Sequence, residues 1–330
     1  MDNIDTISKE ASGIYKNKKK DNFIKDFIKD IRKNKTLYLM ILPALCLFFV
    51  FSYLPMIGIY YAFTRYNYAL GLLRSPFIGF KNFEFLFEGG KNAIVWLLTR
   101  NTVLYNLAFI FIGNIMQIAV AVVISELVGK IYKKFAQSVM FLPYFISYVL
   151  VGAFAYNMFN YEFGSVNTLL HSLGKQSIDF YSSPGYWKYI IVFFNVWKGL
   201  GYGSVIYLAA IMGIDREIYE AADIDGCNIF QRIRYLTLPL LKPTFIMLVL
   251  FSLGGILRGQ FDLFWQLVGN NGALFEATDI IDTYVYRTLT VNFDVGMGTA
   301  AGLYQSFFGL IIILTVNFII KKIDEDYALF

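Results

Sequence analysis

Residues 215–239 read DREIYEAADIDGCNIFQRIRYLTLP and form a polar stretch between two long apolar ones. Acidic residues come first, Ala221 and Ala222 follow, and Gly226 comes after them. This order predicts a short helix that ends at Gly226, because acidic side chains stabilise helix N-termini and glycine is common just beyond the C-terminus. Pro239 should begin the next apolar helix. Before it, a second helix is expected, with three apolar residues on one face: Ile229, Ile233 and Leu236. By composition alone, an ordinary amphipathic connector fits this stretch equally well.

Six apolar runs are long enough to cross a membrane, and two of them flank this stretch. About 20 helical residues are needed to cross roughly 30 Å of hydrocarbon. The runs lie at 37–63, 100–125, 138–159, 188–212, 243–264 and 297–320. Lys198 and Arg258 interrupt the fourth and fifth runs, where a central charge costs about 3 kcal/mol on an insertion scale.

The composition agrees with a membrane protein. Of the 330 residues, 57% are hydrophobic and only 16% are charged, whereas a soluble domain carries about 25% charged residues. The sequence therefore predicts an all-α membrane protein with six transmembrane helices. The single histidine, His171, and the two cysteines, Cys46 and Cys227, form no zinc or haem pattern,. No metal site, catalytic residue or disulfide is expected, and Gly113 and Gly152 are expected to ease helix packing.

The basic residues predict the orientation in the membrane. If the amino terminus is cytoplasmic, 19 Lys or Arg residues lie on the inner side and 8 lie in the outer loops. The reverse orientation would violate the positive-inside rule, so both termini are predicted to be cytoplasmic. Residues 1–36 are predicted to form a basic amphipathic tail on the inner membrane surface, with Phe23, Phe27 and Ile31 on its apolar face,. Binding of this tail to nucleic acid is the alternative interpretation, but in a membrane chain the basic run favours anionic lipid heads.

The spacing within residues 215–239 resembles a known motif. Glu-Ala-Ala is followed by three residues, Gly, nine residues, an aliphatic residue, one further residue and Leu-Pro. This spacing resembles the EAA loop of binding-protein-dependent ABC importer permeases, which usually have Ile at the position of Leu236. The matching residues here are Glu220, Ala221, Ala222, Gly226, Leu236, Leu238 and Pro239.

Four other segments narrow the resemblance: residues 141–147, 254–262, 281–287 and 326–330. They are similar to those of MalF-type carbohydrate permeases. Within these, the LplB-like group is linked to breakdown products of polysaccharides such as pectin, alginate or glycosaminoglycans. The resemblance covers nearly the whole chain from about residue 30 onward.

The resemblance implies a multi-pass protein of the bacterial cytoplasmic membrane with the type I importer (MetI-like) permease fold over residues 37–330. Its EAA loop, at 213–239, would dock on an ATP-binding subunit and couple closure of the ATPase to alternating access. The implied partners are a second homologous permease, two ABC ATPase subunits, an external solute-binding protein and an oligosaccharide. The residues implied in ATPase coupling are Glu220, Ala221, Ala222, Asp225, Gly226, Leu236, Leu238 and Pro239.

The sequence contains no phosphate-binding loop of the Gly-x-x-x-x-Gly-Lys-Ser/Thr type,. ATP and Mg²⁺ would therefore be used by the partner subunits, with no cofactor bound by this chain. The same absence also fits a secondary carrier or channel that works without an ATPase. A secondary carrier usually buries acidic residues for ions, and the first, second, third and sixth apolar runs contain none,. A membrane enzyme has less support, because no catalytic constellation is visible.

Polar residues within the apolar runs are candidates for a substrate pathway, because they are costly in a membrane. Asn195, Lys198 and Tyr202 are spaced to share one face of the fourth helix,. Arg258, Asp262 and Trp265 have a similar spacing on the fifth. Hydrogen-bonding groups, an aromatic face and cations would suit an acidic sugar. A local ion pair between Arg258 and Asp262, or packing of Lys198 against a neighbouring helix, are the structural alternatives.

Overall fold

The computed structural model describes Phe27 and residues 29–71, 73–90 and 93–323. Most of the predicted amphipathic tail, including Phe23, lies outside the described residues, and so does the segment 326–330. The chain divides into two compact units, Met1–Ile59 and Tyr60–Phe330.

The secondary structure is helical, and apart from one isolated bridge between Thr64 and Phe77, the described residues contain no β-strand. The first helix, α1, spans Lys35–Phe48 and continues through a π-helical turn at Phe49–Tyr53 and a 3₁₀ segment at Leu54–Phe63. The remaining helices are α2 (Lys81–Phe87), α3 (Ile94–Glu126), α4 (Lys130–Phe145), α5 (Tyr148–Phe159), α6 (Ser165–Ser172), α7 (Pro184–Met212), α8 (Arg216–Ile224), α9 (Ile229–Arg232), α10 (Leu238–Leu253), α11 (Phe261–Val268), α12 (Phe275–Thr278), α13 (Ile281–Thr290) and α14 (Val295–Ile323).

Six membrane spans can be built from these helices, in agreement with the six apolar runs. Within the described residues, five continuous helical segments are long and apolar enough to cross a bilayer: Lys35–Phe63, Ile94–Glu126, Pro184–Met212, Ile229–Leu253 and Val295–Lys322. The pair α4 and α5 supplies the sixth span if it is counted as one. Many large apolar side chains on these helices are exposed, as expected for surfaces that face lipid or another subunit,.

The third predicted span, 138–159, is not one straight helix. α4 and α5 meet at an angle of 90°. Pro143 lies in the last turn of α4, and Ile146 and Ser147 have extended backbone conformations. The Ser147 side chain then accepts a hydrogen bond from the Leu150 backbone N–H at 3.4 Å and caps α5. A single helix over this run is wrong, because the proline and the serine cap end one helix and begin another.

The fifth predicted span, 243–264, is also interrupted. α10 ends at Leu253, and α11 begins only at Phe261. The glycine-rich residues 254–260 between them are not α-helical. A Cβ atom on Gly259 would lie 2.5 Å from Ile280 Cδ1 and 2.6 Å from the Asp282 carboxylate. The chain bends here because a glycine lets the backbone approach α13 closely.

Pro239 lies in the first turn of α10, as predicted, although no gap separates α10 from the helical residues before it. The helical path is continuous over Ile229–Leu253 and passes through a π-helical turn at Ile233–Thr237 directly before the proline. Proline has no N–H to donate and its ring clashes with the preceding turn of an α-helix. The wider π-helical turn lies where an ordinary α-helical turn would meet this clash.

The most extensive helix–helix packing in the second unit is between α3 and α7. Near one end, Trp187 is fully buried in a large apolar cluster and donates to the Phe180 carbonyl at 2.7 Å. Close backbone approach explains Gly152, where a Cβ atom would lie 2.3 Å from the Gln266 carbonyl oxygen on α11. The same expectation is wrong for Gly113, because the nearest atom to its Cβ position is Gln117 Nε2 at 3.9 Å.

Candidate functional site

A polar cavity of about 620 Å³ opens among α3, α7, α10 and the break between α4 and α5. Its lining combines amide side chains with tyrosines, and of the residues that the structure describes, Lys198 is the one charged residue in this lining. The polar and aromatic lining residues are Asn106, Asn114, Gln117, Tyr144, Tyr148, Asn195, Lys198, Tyr202, Ser252 and Gln260. Such a mixture can hydrogen-bond hydroxyl groups and present flat aromatic faces to sugar rings.

The cavity contains one of the two predicted groups of pathway residues. Asn195, Lys198 and Tyr202 all line it from α7. Arg258, Asp262 and Trp265 do not line it. The break after α10 removes the single helix face on which their grouping depended.

Arg258 and Asp262 are both exposed, and no ion pair joins them among the described residues. Arg258 lies in the irregular segment, residues 254–260 between α10 and α11, whereas Asp262 lies in the first turn of α11. Trp265 packs against two aromatic rings, with ring centroids 5.8 Å from Phe261 and 4.7 Å from Tyr286. These three residues therefore share neither a face nor a cavity wall.

Lys198 holds the broken third span together. The side chain is 8% exposed. Its ammonium donates hydrogen bonds to the carbonyls of Pro143 at 3.2 Å, Tyr144 at 2.7 Å and Ile146. It also lies 4.8 Å from the centroid of the Tyr148 ring. The Pro143 carbonyl also accepts from the Ile146 N–H at 3.2 Å, whereas the carbonyls of Tyr144 and Ile146 depend on Lys198. The last carbonyls of a helix have no partner within the helix, so this lysine satisfies two groups that would otherwise be unpaired inside a membrane.

A polar bridge crosses the cavity between α7 and the irregular segment after α10. Asn195 Nδ2 donates to Gln260 Oε1 at 2.7 Å, and the Tyr148 hydroxyl donates to the same oxygen at 3.5 Å. From α3, Asn106 donates to the carbonyls of Ile256 at 2.8 Å and Arg258 at 3.2 Å. The irregular segment is thus fixed to two helices by amide side chains.

Asp282 on α13 also binds the irregular segment. Its carboxylate accepts from the Gly259 N–H at 2.7 Å and from Gln305 Nε2 at 2.9 Å. Burial raises the pKa of Asp282, although both hydrogen bonds act in the opposite direction,. Two segments noted in the sequence, 254–262 and 281–287, therefore meet at one contact.

The aromatic part of the lining is ordered by stacking. The rings of Tyr144 and Tyr202 stack with centroids 4.8 Å apart and an angle of 11° between their planes. Tyr144 is in the last turn of α4 and Tyr202 is on α7, so the stacked pair joins the two helices beside Lys198.

Sequence reasoning missed the contribution of α3 to the cavity. Asn106, Asn114 and Gln117 lie within a long apolar helix, and all three line the cavity. The rule that polar residues inside an apolar run deserve attention would have found them, because it applies to this helix as well as to the fourth and fifth spans. The same rule applies to Gln260 in the fifth run, although its contact with Asn195 forms in the segment that follows the break after α10,.

The predicted EAA loop contains a short helix, α8, whose N-terminus is capped. The Asp215 side chain accepts from the Glu217 N–H at 3.1 Å. α8 ends at Ile224, and Gly226 has a φ of +75°. The predicted helix end at this glycine is confirmed, since a positive φ favours glycine.

The residues predicted to contact an ATPase differ in exposure. Ala222 is buried and Leu236 is half-buried, whereas the other six are exposed. The exposed ones are Glu220, Ala221, Asp225, Gly226, Leu238 and Pro239. Two apolar side chains beside them are also strongly exposed, Ile224 at 87% and Phe230 at 79%. The first half of the loop therefore presents a surface of acidic, small and apolar groups.

Polar contacts fix α8 to the helices around it. Arg232 forms ion pairs with Asp223 on α8 at 3.0 Å and with Glu126 at the end of α3 at 2.5 Å. The hydroxyls of Tyr219 and Thr237 lie 3.1 Å apart, which joins α8 to the helix that leads into α10. A displacement of α8 would therefore be transmitted to α3 and α10.

Comparison with known proteins supplies an independent line of information. Residues 113–325 match the family described as binding-protein-dependent transport system inner membrane component. Protein LplB of Bacillus subtilis (strain 168) is 32% identical over 296 residues, covering 90% of this chain and 92% of that protein. The polygalacturonan/rhamnogalacturonan transport system permease protein YteP of the same organism is 32% identical over 297 residues, covering 89% and 90%.

A solved structure has a similar fold. It is described as the crystal structure of a bacterial alginate ABC transporter in complex with an alginate pentasaccharide-bound periplasmic protein. One of its chains gives a TM-score of 0.78 at 33% identity, covering 89% of this chain and 97% of that chain. This similarity confirms the all-helical permease fold expected from the sequence.

Proposed function

Because the chain belongs to the family of binding-protein-dependent transport system inner membrane components, we propose that it is the permease subunit of an ATP-driven importer for oligosaccharides. The proposal extends to acidic fragments of polysaccharides of the pectin, alginate or glycosaminoglycan type. The chain forms part of the route through the membrane, and partner subunits hydrolyse ATP.

The cavity supports a sugar as the substrate. Amide side chains from α3 and α7 supply hydrogen-bond donors and acceptors for hydroxyl groups, and the stacked Tyr144 and Tyr202 supply an aromatic face,. The relatives named for polygalacturonan, rhamnogalacturonan and alginate support an acidic sugar. Lys198 is the one charged residue in the lining, but its ammonium is already bonded to carbonyls. The preference for an acidic sugar therefore depends mainly on the relatives.

Coupling to an ATPase is supported by α8, and this observation carries the proposal. The helix is capped and exposes Glu220 and Ala221, and Gly226 is exposed just beyond its end. Arg232 forms ion pairs with both α8 and α3. A partner that binds the exposed side of α8 and displaces it would therefore also move α3, which lines the cavity. ATP binding closes the ATPase dimer, α8 moves with it, and the spans change from inward-facing to outward-facing access.

The proposed assembly contains this chain, a second homologous permease, two ABC ATPase subunits and an external solute-binding protein. The chain is placed in the bacterial cytoplasmic membrane with both termini in the cytoplasm. A secondary carrier or channel that works alone is the competing function, and the assembly distinguishes the two.

The decisive experiment is purification of the tagged chain from its native membrane in mild detergent, followed by mass spectrometry of the bound proteins. We expect an ATP-binding subunit and a second permease with an EAA loop. Recovery of the chain alone, in a form that still transports after reconstitution, would establish the carrier or channel instead.

The substrate class is tested with the reconstituted assembly. Uptake of a galacturonate oligosaccharide is compared with uptake of an uncharged oligosaccharide of equal length. We expect the acidic sugar to be taken up faster and to compete with the neutral one. Equal uptake of both sugars would agree with an oligosaccharide importer but would contradict the proposed preference for acidic sugars.

A further inference from the structure

A second polar cavity, separate from the one described above, lies at the end of the molecule predicted to be cytoplasmic. It has a volume of about 490 Å³ and lies between the end of α3, the first turns of α4, the end of α7 and helix α8. Its charged lining residues are five cations, Lys130, Lys133, Lys134, Arg216 and Arg232, and one carboxylate, Glu126. The cavity is therefore strongly basic.

The negative charge near this cavity is already paired. Glu126 and Asp223 both bind Arg232, at 2.5 and 3.0 Å. Lys133 Nζ donates to the Ser125 carbonyl at 2.5 Å. The remaining acidic residues of the loop, including Glu217 and Glu220, do not line the cavity.

Three of the cations have no counterion. Lys130, Lys134 and Arg216 form no ion pair and no side-chain hydrogen bond within the part of the chain that the structure describes. All three are exposed. They come from two helices more than 80 residues apart in sequence and converge on one concave surface.

The positive-inside rule accounts for basic residues at this end of the molecule, but it requires no convergence. Like charges that meet in a cavity repel one another unless an anion lies between them. Lysine and arginine are the side chains that bind phosphate groups in proteins, and several of them around one cavity make such binding stronger.

We propose that this basic cavity binds a phosphate-bearing ligand, held between Lys130 and Lys134 of α4 and Arg216 of α8. The phosphate belongs either to the headgroup of an anionic phospholipid or to a soluble compound. Because the cavity also includes Tyr219, the ligand contacts the helix of the EAA loop as well as the start of α4. This binding does not depend on which solute the chain transports.

The test uses the full purified chain in nanodiscs of phosphatidylcholine. Two probes are titrated separately: phosphatidylglycerol, mixed into the lipid, and inorganic phosphate, added to the buffer. Hydrogen–deuterium exchange of residues 129–135 and 215–224 reports binding at each concentration. Protection by phosphatidylglycerol alone identifies a lipid site, and protection by inorganic phosphate identifies a site for soluble phosphate compounds.

The variant Lys130→Gln, Lys134→Gln, Arg216→Gln removes the three unpaired cations. The matched control, Lys242→Gln, Lys321→Gln, Lys322→Gln, removes the same charge from the same end of the molecule, and none of these three residues lines the cavity. We expect the first variant to weaken apparent affinity about tenfold and the control about twofold or less.

An equal loss in both variants would mean that the membrane-facing charge attracts anions without a site, and it would overturn the proposal. Absence of protection by either probe in the wild-type chain would overturn it as well. Because Lys130, Lys134 and Arg216 are exposed, a folding defect is not expected. The variant with Lys130→Arg and Lys134→Arg retains the charge and should retain binding.

Discussion

Gly226 sets the end of α8 through its backbone conformation and not through a lack of space. Its φ is +75°, and no atom lies within 4 Å of the position that a Cβ would occupy. For residues other than glycine, this conformation costs about 1–2 kcal/mol. Any substitution here therefore acts on the path of the loop and leaves the surrounding packing unchanged.

Gly226→Val should leave membrane insertion intact and abolish association with the ATPase, because a β-branched residue adopts this φ poorly. The matched control is Gly213→Val in the same loop, where φ is −83° and the nearest atom to a Cβ is 3.5 Å away. Co-purification of the ATPase from membranes measures the difference. If Gly226→Val still associates with the ATPase and transports normally, Gly226 is not required for coupling.

Lys198 has a structural task that can be separated from a role in binding substrate. Lys198→Met keeps the length of the side chain and leaves the carbonyls of Tyr144 and Ile146 without their donor. We expect a loss of about 1–3 kcal/mol in stability, because those groups stay unpaired in a low-dielectric environment.

The control for Lys198 is Arg258→Met, which removes an exposed cation and should change stability by less than about 0.5 kcal/mol,. Thermal unfolding in detergent measures both variants. If Lys198→Met unfolds at the wild-type temperature but transport of the acidic sugar is lost, the lysine serves the substrate and not the helix break.

At the scale of elements, α4 and α7 approach each other at Gly201. A Cβ atom there would lie 2.1 Å from the Met140 carbonyl oxygen. Gly199, two residues earlier on the same helix, has no atom within 4 Å of its Cβ position. Gly201 thus brings two helix backbones together, whereas Gly199 does not.

Gly201→Ala should destabilise the protein by about 1–3 kcal/mol, because the backbones must move apart. Gly199→Ala should be neutral or stabilising by up to about 1 kcal/mol, because alanine favours a helix. The same thermal unfolding measurement compares the two variants. A similar midpoint for both would show that α4 and α7 adjust freely at this contact.

The elements that could be predicted are those that hydropathy determines. All six apolar runs contain helices, because about 20 apolar residues leave few alternatives in a membrane,. The breaks after Phe145 and Leu253 were not predicted. Pro143 and Gly254 are compatible with either a bent or a broken helix, and the groups that stabilise the breaks, Lys198 and Asp282, are distant in sequence.

The residues of the candidate site could likewise be predicted only where hydropathy identifies an unbroken helix. Asn195, Lys198 and Tyr202 could be grouped from sequence because α7 is continuous. Arg258, Asp262 and Trp265 were grouped on the assumption of a continuous helix, which the break removed. Helical spacing locates a site only where the helix itself is uninterrupted.

At the scale of the whole molecule, the predicted orientation can be tested with the two native cysteines. Both are free and exposed in the structure, Cys46 on α1 and Cys227 directly after α8. A membrane-impermeant maleimide should label Cys227 only in inside-out vesicles. Cys46 should not react in either preparation, because it lies within the first candidate span and an impermeant probe does not enter hydrocarbon.

Cys227→Ser is the control and should abolish labelling in both kinds of vesicle. Labelling of the wild-type chain in right-side-out vesicles, lost in Cys227→Ser, would reverse the predicted orientation. The distribution of 19 against 8 basic residues would then need another explanation.

The bond between Lys198 and the break of the third span also has a consequence for biosynthesis. The carbonyls of Tyr144 and Ile146 are made more than 50 residues before the lysine that satisfies them. Each unpaired carbonyl in hydrocarbon costs several kcal/mol. During translation, the helices before and after the bend would therefore settle only once the fourth span has left the ribosome. The third and fourth spans should consequently leave the translocon as a pair.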